Sequence, residues 1–374
     1  MPKDFSIQSE YEKGFKIDGI MNIYKTGIES GRDDLFVSQS EEELKHKMSD
    51  IFIDNNLLYE KYKIKDNASF RIGNHIAGKT FDKSKVVPIM YRPFDKRFIY
   101  YDKDLLRRPF YDLMKHFLLK NKTNIALCTC RQQKAFDFQH ILVSTAITER
   151  CYVSLQTGEV SYIFPLYLYQ ENMGKEERIV NFDKEQYDKI AKGLNYLPCY
   201  DDNILVDPTS EYNGVLYPQD LFDYIYAVLH SPSYRERYKE FLKIDFPRIP
   251  YPTDWEKFRD LAEKGEELRQ LHLMEDLPNS TGISFPVGGT LQVDCYRWQN
   301  NRVYINEEQY FEGVPECAWD FYIGGYQPAQ KWLKDRKGLT LSFEDVKHYQ
   351  GIIYVLQQTG KIMDEIDGLM TKEK

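Results

Sequence analysis

Several motifs that mark common enzyme classes are missing from this chain of 374 residues. It has no Gly-x-x-x-x-Gly-Lys-Ser/Thr loop for nucleotide phosphates and no Gly-x-Gly-x-x-Gly after a strand for dinucleotides. His-Glu-x-x-His and Gly-x-Ser-x-Gly are also absent, which argues against a zinc protease and a serine hydrolase. An adenine aminomethyltransferase needs an Asn/Asp-Pro-Pro-aromatic turn, and the nearest segment, Asp207-Pro208-Thr209, lacks the second proline and the aromatic residue. The sequence therefore offers no catalytic residue, and whether the chain is an enzyme stays open.

Long apolar runs are missing as well. No stretch of eighteen apolar residues occurs, and the N-terminus lacks the apolar core of a signal peptide, so we expect no membrane span. The six cysteines form no Cys-x-x-Cys pair, which fits a reducing, cytoplasmic location. Cys128 and Cys130 lie in a predicted strand, where alternation places both thiols on one face. Buried free thiols are the expected state, and a metal pair is the alternative.

What the chain does have is an uneven distribution of charge. The whole sequence carries 50 Lys+Arg and 58 Asp+Glu, a net charge of −8. Residues 91–134 carry a local net charge of +7, which leaves −15 on the rest. Cations gain affinity for a phosphate backbone by replacing condensed counterions, so we expect this segment to stand exposed on one side and to lie along a double helix. Its basic residues are Arg92, Lys96, Arg97, Lys103, Arg107, Arg108, Lys115, Lys120, Lys122, Arg131 and Lys134.

The order of apolar runs and helix caps predicts an α+β fold. We expect a mixed, mostly antiparallel sheet, then a helical region with a long C-terminal helix. Strands are predicted at 86–91, 97–101, 124–129, 141–144, 151–154, 161–169, 291–296 and 302–306. Helices are predicted at 44–52 after a Ser40–Glu43 capping box, at 108–118, over much of 218–275, and from Ser342 onward. Residues 170–200 are expected to be a loop with a short helix. The predicted divisions are 1–88, a connector; 89–217, an α/β domain; and 218–374, a helical and small-sheet region.

Two basic segments have the side chains that a DNA-binding protein uses. Arginine suits guanine and glutamine suits adenine, and the run Arg131, Gln132, Gln133 and Lys134 follows a predicted strand. Arg107 and Arg108 stand at a predicted helix start, where backbone N–H groups also attract phosphate. An ordinary solvated loop is the alternative for 131–134. For Arg97 the alternative is an ion pair with Asp95 or Asp102.

The same residues resemble a known family. Tyr91-Arg-Pro-Phe-Asp-x-Arg-x-x-Tyr100 is similar to the signature of the C-terminal specificity region of Type ISP restriction–modification enzymes. The similarity covers nearly the whole chain. At residues 27–33, Ser30 and Gly31 stand where threonine and a small or polar residue are more usual. The similarity continues in order through Arg131 and Gln132 and through residues 151–154, 164–169, 223–238, 241–250 and 323–336.

The resemblance implies a DNA target-recognition module. Such a module holds double-stranded DNA while a methyltransferase domain or subunit, absent from this chain, modifies an adenine at N6. Residues 1–88 would then be the trailing part of that methyltransferase, or the link to it, and 89–217 the target-recognition domain. We expect no cofactor here, with S-adenosylmethionine and ATP/Mg confined to the missing domains. The expected DNA-binding residues are Arg92, Lys96, Arg97, Arg107, Arg108, Lys115, Arg131, Gln132, Gln133 and Lys134.

Two other functions stay open on the sequence. One is an unrecognised nuclease or hydrolase with its site in the tyrosine-rich middle, which would need a pocket of converging acids or histidines. The other is a protein-interaction scaffold whose basic segment docks on an acidic partner. Tight protein binding with a weak salt dependence of DNA binding would favour the scaffold.

Overall fold

The computed structural model describes residues 5–66, 71–135, 137–172, 174–207 and 211–372, and within them short strands alternate with helices. The strands are β1 (Phe15–Lys16), β2 (Lys25–Thr26), β3 (Val37–Ser38), β4 (Val86–Arg92), β5 (Asp95–Tyr100), β6 (Ala126–Cys130), β7 (Ile141–Ser144), β8 (Ile147–Thr148), β9 (Ser161–Pro165), β10 (Tyr167–Asn172), β11 (Lys175–Val180), β12 (Tyr196–Pro198), β13 (Gly214–Leu216), β14 (Arg248–Ile249), β15 (Arg297–Gln299), β16 (Arg302–Tyr304) and β17 (Tyr310–Glu312).

The helices of the described residues frame these strands. They are α1 (Phe5–Glu12), α2 (Ile17–Ile20), α3 (Asp33–Phe36), α4 (Glu41–Ile53), α5 (Leu57–Glu60), α6 (Ile72–Ile76), α7 (Tyr111–Met114), α8 (Lys184–Leu194), α9 (Pro218–His230), α10 (Pro232–Arg237), α11 (Lys239–Leu242), α12 (Trp255–His272), α13 (Glu316–Trp319), α14 (Pro328–Lys334) and α15 (Phe343–Thr371). Short 3₁₀ turns occur at Lys83–Lys85 and Lys115–Phe117. None of the helices in the described ranges is both long enough and apolar enough to span a bilayer.

The four-stranded sheet β2–β9–β6–β7 lies between two hydrophobic cores formed by the described residues. Its neighbouring strands are antiparallel, and Tyr162 of β9 pairs with Thr26 of β2. Side chains alternate along β6, so Cys128 and Cys130 enter one core whereas Leu127 enters the other. The prediction that both thiols share a face is confirmed, and both are buried and free.

A second four-stranded sheet, β3–β5–β4–β8, is mixed. β4 and β8 run parallel, and the other neighbours run antiparallel. These sheets and their flanking helices make the α+β fold that the sequence predicts, and the strands expected at 86–91, 97–101, 124–129 and 141–144 are confirmed with shifts of one or two residues. β2 and β3 belong to the predicted connector, yet each pairs with a strand of the following region. Both hydrophobic cores contain residues from all three predicted parts, so the cores do not mark boundaries at 88 and 217. The division into three parts stays a prediction.

In the helical region, the helices begin at or next to the N-cap residues that the sequence predicts. Ser231 caps α10 and Pro232 takes its first position, as predicted. The N-cap of α12 is Asp254 rather than Thr253, because the Asp254 carboxylate accepts two N–H groups of the first turn. Ser342 forms the predicted capping box of α15, whose inner face packs on α9, α10 and α12.

Other segments differ from the expectation. The helix predicted at 108–118 shrinks to α7 and one 3₁₀ turn, because Phe110 has φ +46°, outside the helical region. Residues 151–154 form turns and not a strand, and 291–296 contribute only an isolated bridge from Gln292 to Thr340. The stretch 161–169 divides into β9 and β10. Residues 170–200 hold the hairpin β10–β11 and the helix α8 instead of a loop with one short helix.

Candidate nucleic-acid interface

Three arginines surround one buried carboxylate, that of Glu29, which is 8% exposed. Arg107 Nε lies 3.6 Å from Glu29 Oε2, Arg108 Nη1 lies 3.3 Å from Glu29 Oε1, and Arg150 Nη1 contacts the same Oε1. The side chains of Arg107 and Arg108 are 69% and 52% exposed. We call these four residues the Glu29 cluster. Since one carboxylate faces three guanidinium groups, two positive charges are left over at the surface.

Backbone pairing brings the Glu29 cluster together from segments far apart in sequence. Glu29 and Arg108 exchange both backbone hydrogen bonds, at 3.1 and 3.0 Å, and Arg150 N–H donates to Ile28 O at 3.0 Å. Gly27 permits this approach, because a Cβ there would lie 2.6 Å from the backbone carbonyl carbon of Glu149. Arg150 lies outside the basic segment 91–134, so the charge count along the sequence missed it.

The backbone of Arg107 and Arg108 differs from the expectation. Their N–H groups donate to the carbonyl oxygens of Ser30 and Glu29, so they cannot act as the free N-terminus of a helix. The expectation of a phosphate site built on helical N–H groups at this point is therefore wrong, and only the guanidinium groups remain available. Asp33 borders the cluster and accepts hydrogen bonds from the hydroxyls of Ser30 and Tyr91.

The segment 131–135 lies beside a recess of about 230 Å³. The Arg131 side chain is half exposed and its Nε donates to Asp245 Oδ1 at 2.8 Å. Gln132 is exposed, whereas Gln133 is 5% exposed and donates its amide to Cys130 O. The two glutamines therefore differ, and only one faces outward. The recess is lined by Arg131, Gln132, Gly158, Val160 and Tyr162.

Tyr162 supplies an aromatic wall to this recess. Its ring is partly buried and lies 5.0 Å from the ring of Phe246, in an edge-on arrangement. The Arg131 guanidinium lies 5.7 Å from the same Phe246 ring. A supported tyrosine face next to an amide and a guanidinium suits contact with a nucleobase. A high tyrosine content was the only signal for this wall in the sequence, so Tyr162 was not singled out.

The recess and the Glu29 cluster adjoin each other along one strand. Gly27 N–H donates to Ser161 O at 2.9 Å, and Ser161 N–H donates to Arg150 O at 2.7 Å. Residues 158–162 thus run from the recess to the cluster. Cations contributed by residues 107–108, 131–134 and 150 meet along this edge of the sheet.

Two predicted DNA-binding arginines are held inside ion pairs. Arg92 pairs with Glu149, and its side chain is 11% exposed. Arg97, 14% exposed, donates to Asp95 at 2.9 and 2.7 Å, and both guanidinium groups lie 4.0 Å from the ring of Tyr91. The expectation that all the basic residues stand exposed on one side is wrong for these two. The alternative for Arg97, an ion pair with Asp95, is what the structure contains.

The family of the chain follows from comparison with known proteins. A family model described as the Type ISP C-terminal specificity domain matches residues 19–365. The chain belongs to this family. A search of curated proteins gives no match.

Three solved structures share the fold of this specificity domain, and two of them are described as Type ISP restriction–modification enzymes. A nuclease-deletion mutant of LlaGI in complex with a DNA substrate mimic has a TM-score of 0.66 at 19% identity, covering 97% of this chain and 29% of that chain. LlaBIII bound to DNA gives 0.67 at 21%, with 95% and 24% covered. A DrdV–DNA complex gives 0.68 at 20%, with 95% and 36% covered. The specificity domain therefore spans about a quarter to a third of the length of these proteins.

Three remaining predicted residues of the specificity domain are exposed lysines. Lys96 lies on β5, Lys115 lies in the 3₁₀ turn after α7, and Lys134 lies over Gly158. In the described part of the chain, no acid pairs with any of them. Lys134 borders the recess, but Lys96 and Lys115 belong neither to it nor to the Glu29 cluster. DNA contact by these three lysines stays a prediction.

Proposed function

We propose that this specificity domain is the DNA target-recognition module of a restriction–modification enzyme, and that it binds double-stranded DNA through the Glu29 cluster and the neighbouring recess. The observation that carries the proposal is the sharing of one buried carboxylate by Arg107, Arg108 and Arg150. Family membership supports it, and so do the DNA complexes named for the structural relatives.

The Glu29 carboxylate orders the guanidinium groups before DNA arrives. Each arginine keeps N–H donors beyond those that face Glu29, and those donors can bind phosphate oxygens in the forked geometry that arginine favours. Holding the side chains in place lowers the conformational entropy lost on binding. The two unbalanced positive charges provide the attraction to the backbone.

The other steps of the reaction belong outside this chain. We place the adenine-N6 methyltransferase in a separate domain or subunit, together with S-adenosylmethionine and with ATP/Mg. That adenine must leave the base stack to react, at a cost of a few kcal/mol, and contacts made by the specificity domain would offset part of it. Within the described ranges, no group of three His, Cys, Asp or Glu residues is placed to hold a metal ion.

We also place the protein in the cytoplasm. The six cysteines, from Cys128 to Cys317, are free. A reducing compartment keeps thiols in this state.

The test is a salt titration of DNA binding. The double variant Arg107→Ala, Arg108→Ala should bind a labelled 30-base-pair duplex more weakly whatever its sequence, and should lower the slope of log K against log salt by up to about two. The matched control is Arg259→Ala, since Arg259 is an exposed arginine of α12 whose acid partners lie on its own helix. A slope equal to that of the unaltered protein, or no DNA binding by that protein, would overturn the proposal.

A further inference from the structure

A buried carboxylate holds the backbone of the segment 131–135. Glu159, 1% exposed, accepts hydrogen bonds through Oε1 from Lys134 N at 2.6 Å and from Ala135 N at 3.3 Å. Its Oε2 accepts from Ser154 Oγ at 2.6 Å and lies 3.0 Å from Nε2 of His140. Two oxygens thus serve four donors, of which two belong to the backbone of an otherwise exposed segment.

This arrangement fixes which way the neighbouring side chains point. With the N–H groups of Lys134 and Ala135 held inward, Gln133 is buried against Cys130 O while Gln132 is left facing the recess. Gly158 lies opposite with φ +87°, and a Cβ there would come within 2.8 Å of Lys134 Nζ. The loop geometry therefore depends on Glu159 on one side and on the small residue at 158 on the other.

We propose that Glu159 is a positioning residue that holds the 131–135 segment so that Gln132, and not Gln133, contacts one base edge of the DNA target within the recess. The inference rests on the proposed function, because it needs DNA to lie along this edge. A glutamine amide both donates and accepts, as does the N6/N7 edge of adenine, so adenine is the base that suits Gln132. Tyr162 supplies the apolar wall beside the base.

The experiment selects bound duplexes from a library in which twenty central base pairs are random, and then sequences them. The unaltered protein should enrich a defined sequence. Gln132→Ala should lower the preference at one position by about tenfold or more, whereas Gln133→Ala should leave that position unchanged. The loss should be confined to one base, since Gln132 has no part in the Glu29 cluster.

Two substitutions test Glu159, and they differ in whether the new side chain can still accept the N–H groups of the 131–135 segment. Glu159→Ala removes both acceptors of the loop N–H groups and should lower the preference at the same position as Gln132→Ala. Glu159→Gln keeps a carbonyl oxygen for Lys134 and Ala135. Its amide N–H groups can donate to Ser154 Oγ and to Nε2 of the other His140 tautomer, so this variant should retain the preference that Glu159→Ala loses. Loss of stability alone would weaken binding at all positions together and would not single out the base contacted by Gln132.

The outcomes separate this inference from the proposed function. Suppose that the unaltered protein enriches a sequence and that Gln132→Ala or Glu159→Ala enriches it equally well. This result overturns the inference and leaves the proposed DNA binding intact. If the unaltered protein binds no DNA, both the inference and the proposed function are overturned.

Hydrogen exchange of the unaltered chain gives a measurement that needs no variant. The amides of Lys134 and Ala135 should exchange at least tenfold more slowly than that of the exposed Gln132, and equal rates would overturn the role of Glu159.

Discussion

At the scale of single residues, Asp95 explains why the Tyr91–Tyr100 signature contributes to the fold rather than to the exposed surface. Its carboxylate, 1% exposed, accepts from Arg97 at 2.7 Å and from Arg336 at 3.1 Å. Arg336 follows α14 in the sequence, so this bond ties the β4–β5 hairpin to the C-terminal part of the chain. The Arg336 guanidinium also lies 3.6 Å from the ring of Trp332.

Removing this carboxylate should therefore cost stability. Asp95→Ala removes the acid that Arg97 and Arg336 share. Asp335 stays 3.1 Å from Arg97 and Asp345 stays 3.9 Å from Arg336, so we expect the free energy of unfolding to fall by about 3 kcal/mol, the lower end for a broken buried pair. Urea denaturation followed by circular dichroism measures the change. Lys96→Ala, at the exposed neighbouring position, is the control and should stay within about 0.5 kcal/mol. A loss below about 1 kcal/mol in Asp95→Ala would show that the network is not structural.

Part of this network could be predicted from the sequence. Asp95 lies two residues before the predicted strand 97–101, and its ion pair with Arg97 was a stated alternative. In the structure both residues lie on β5, where side chains two residues apart share a face. Arg336 is 241 residues away from Asp95, and a pairing across that distance leaves no local pattern. For the same reason Glu149, the partner of Arg92, was not foreseen.

At the scale of elements, the packing of α9 on α12 depends on a glycine. A Cβ at Gly265 would lie 1.9 Å from the carbonyl oxygen of Asp223, so the helix backbones approach too closely for any side chain. One turn after Gly265, Arg269 of α12 donates to both carboxylate oxygens of Asp223 at 2.7 and 3.0 Å. The glycine and the ion pair together set the separation of the two helices.

Gly265→Ala should destabilise the protein although alanine favours helices. The propensity gain is about 1 kcal/mol, but the new methyl must push two backbones apart, which costs about 3 kcal/mol or more. We expect a net loss of about 2 kcal/mol, measured as a lower urea midpoint. Gly360→Ala on α15 is the matched control: no atom lies within 4 Å of its Cβ position, so it should raise the midpoint. A gain in both variants would contradict the close-packing argument.

Helices were more predictable than strands because their ends carry caps. Ser40, Ser231 and Ser342 each cap the helix that the sequence placed after them. The Glu43 carboxylate, however, accepts from Ser38 and so does not complete the expected capping box. The segment 151–154 has the composition of a strand, yet the Glu149 carboxylate accepts from its first N–H group and holds it in turns. Such a side-chain contact overrides β propensity.

At the scale of the whole molecule, the basic segment does not form one continuous surface. Its cations divide among the Glu29 cluster, the recess, partly buried ion pairs and exposed lysines outside both sites. The proposed interface lies instead where backbone pairing brings together residues 27–31, 107–108, 131–134, 150 and 158–162. Net charge over residues 91–134 found the cations at 107, 108, 131 and 134, but not Arg150 or Tyr162, because strand pairing, not proximity in sequence, decides which side chains meet.

A buried histidine, His272, joins three helices of the C-terminal region through its side-chain hydrogen bonds. His272 Nδ1 accepts from the Tyr226 hydroxyl at 2.5 Å, and its Nε2–H donates to Thr359 Oγ1 at 2.8 Å, since the Thr359 hydroxyl itself donates to Val355 O. These bonds link α12 to α9 and α15, and they need a neutral imidazole. Burial, with the charge of Arg235 nearby, lowers the pKa of His272 to about 3.

Proton uptake by His272 in the unfolded chain should therefore weaken the folded state as pH falls, against the opposite contribution of Asp220, whose pKa burial raises to about 6. An unfolded histidine takes up a proton below about pH 6.5, whereas folded His272 does so only near its pKa of about 3. Between these values the unfolded chain binds more protons, so the free energy of unfolding falls as pH falls, by about 2 kcal/mol from this group between pH 6.5 and 5. His230, whose ring centroid lies 5.4 Å from that of His272, also has a pKa lowered by burial and adds to the loss.

Urea midpoints measured from pH 7 to pH 5 test this prediction. His272→Gln is expected to be less stable at pH 7, because it disrupts the bonds to Tyr226 and Thr359, but to lose less of its remaining stability on acidification. His46→Gln removes an exposed histidine from α4 without touching the junction, so it should keep the pH dependence of the unaltered protein. The decisive quantity is the slope with pH and not the midpoint itself. If His272→Gln keeps the full slope, proton uptake by His272 is not what links acid to unfolding, and the junction of α9, α12 and α15 does not control the acid stability of the molecule.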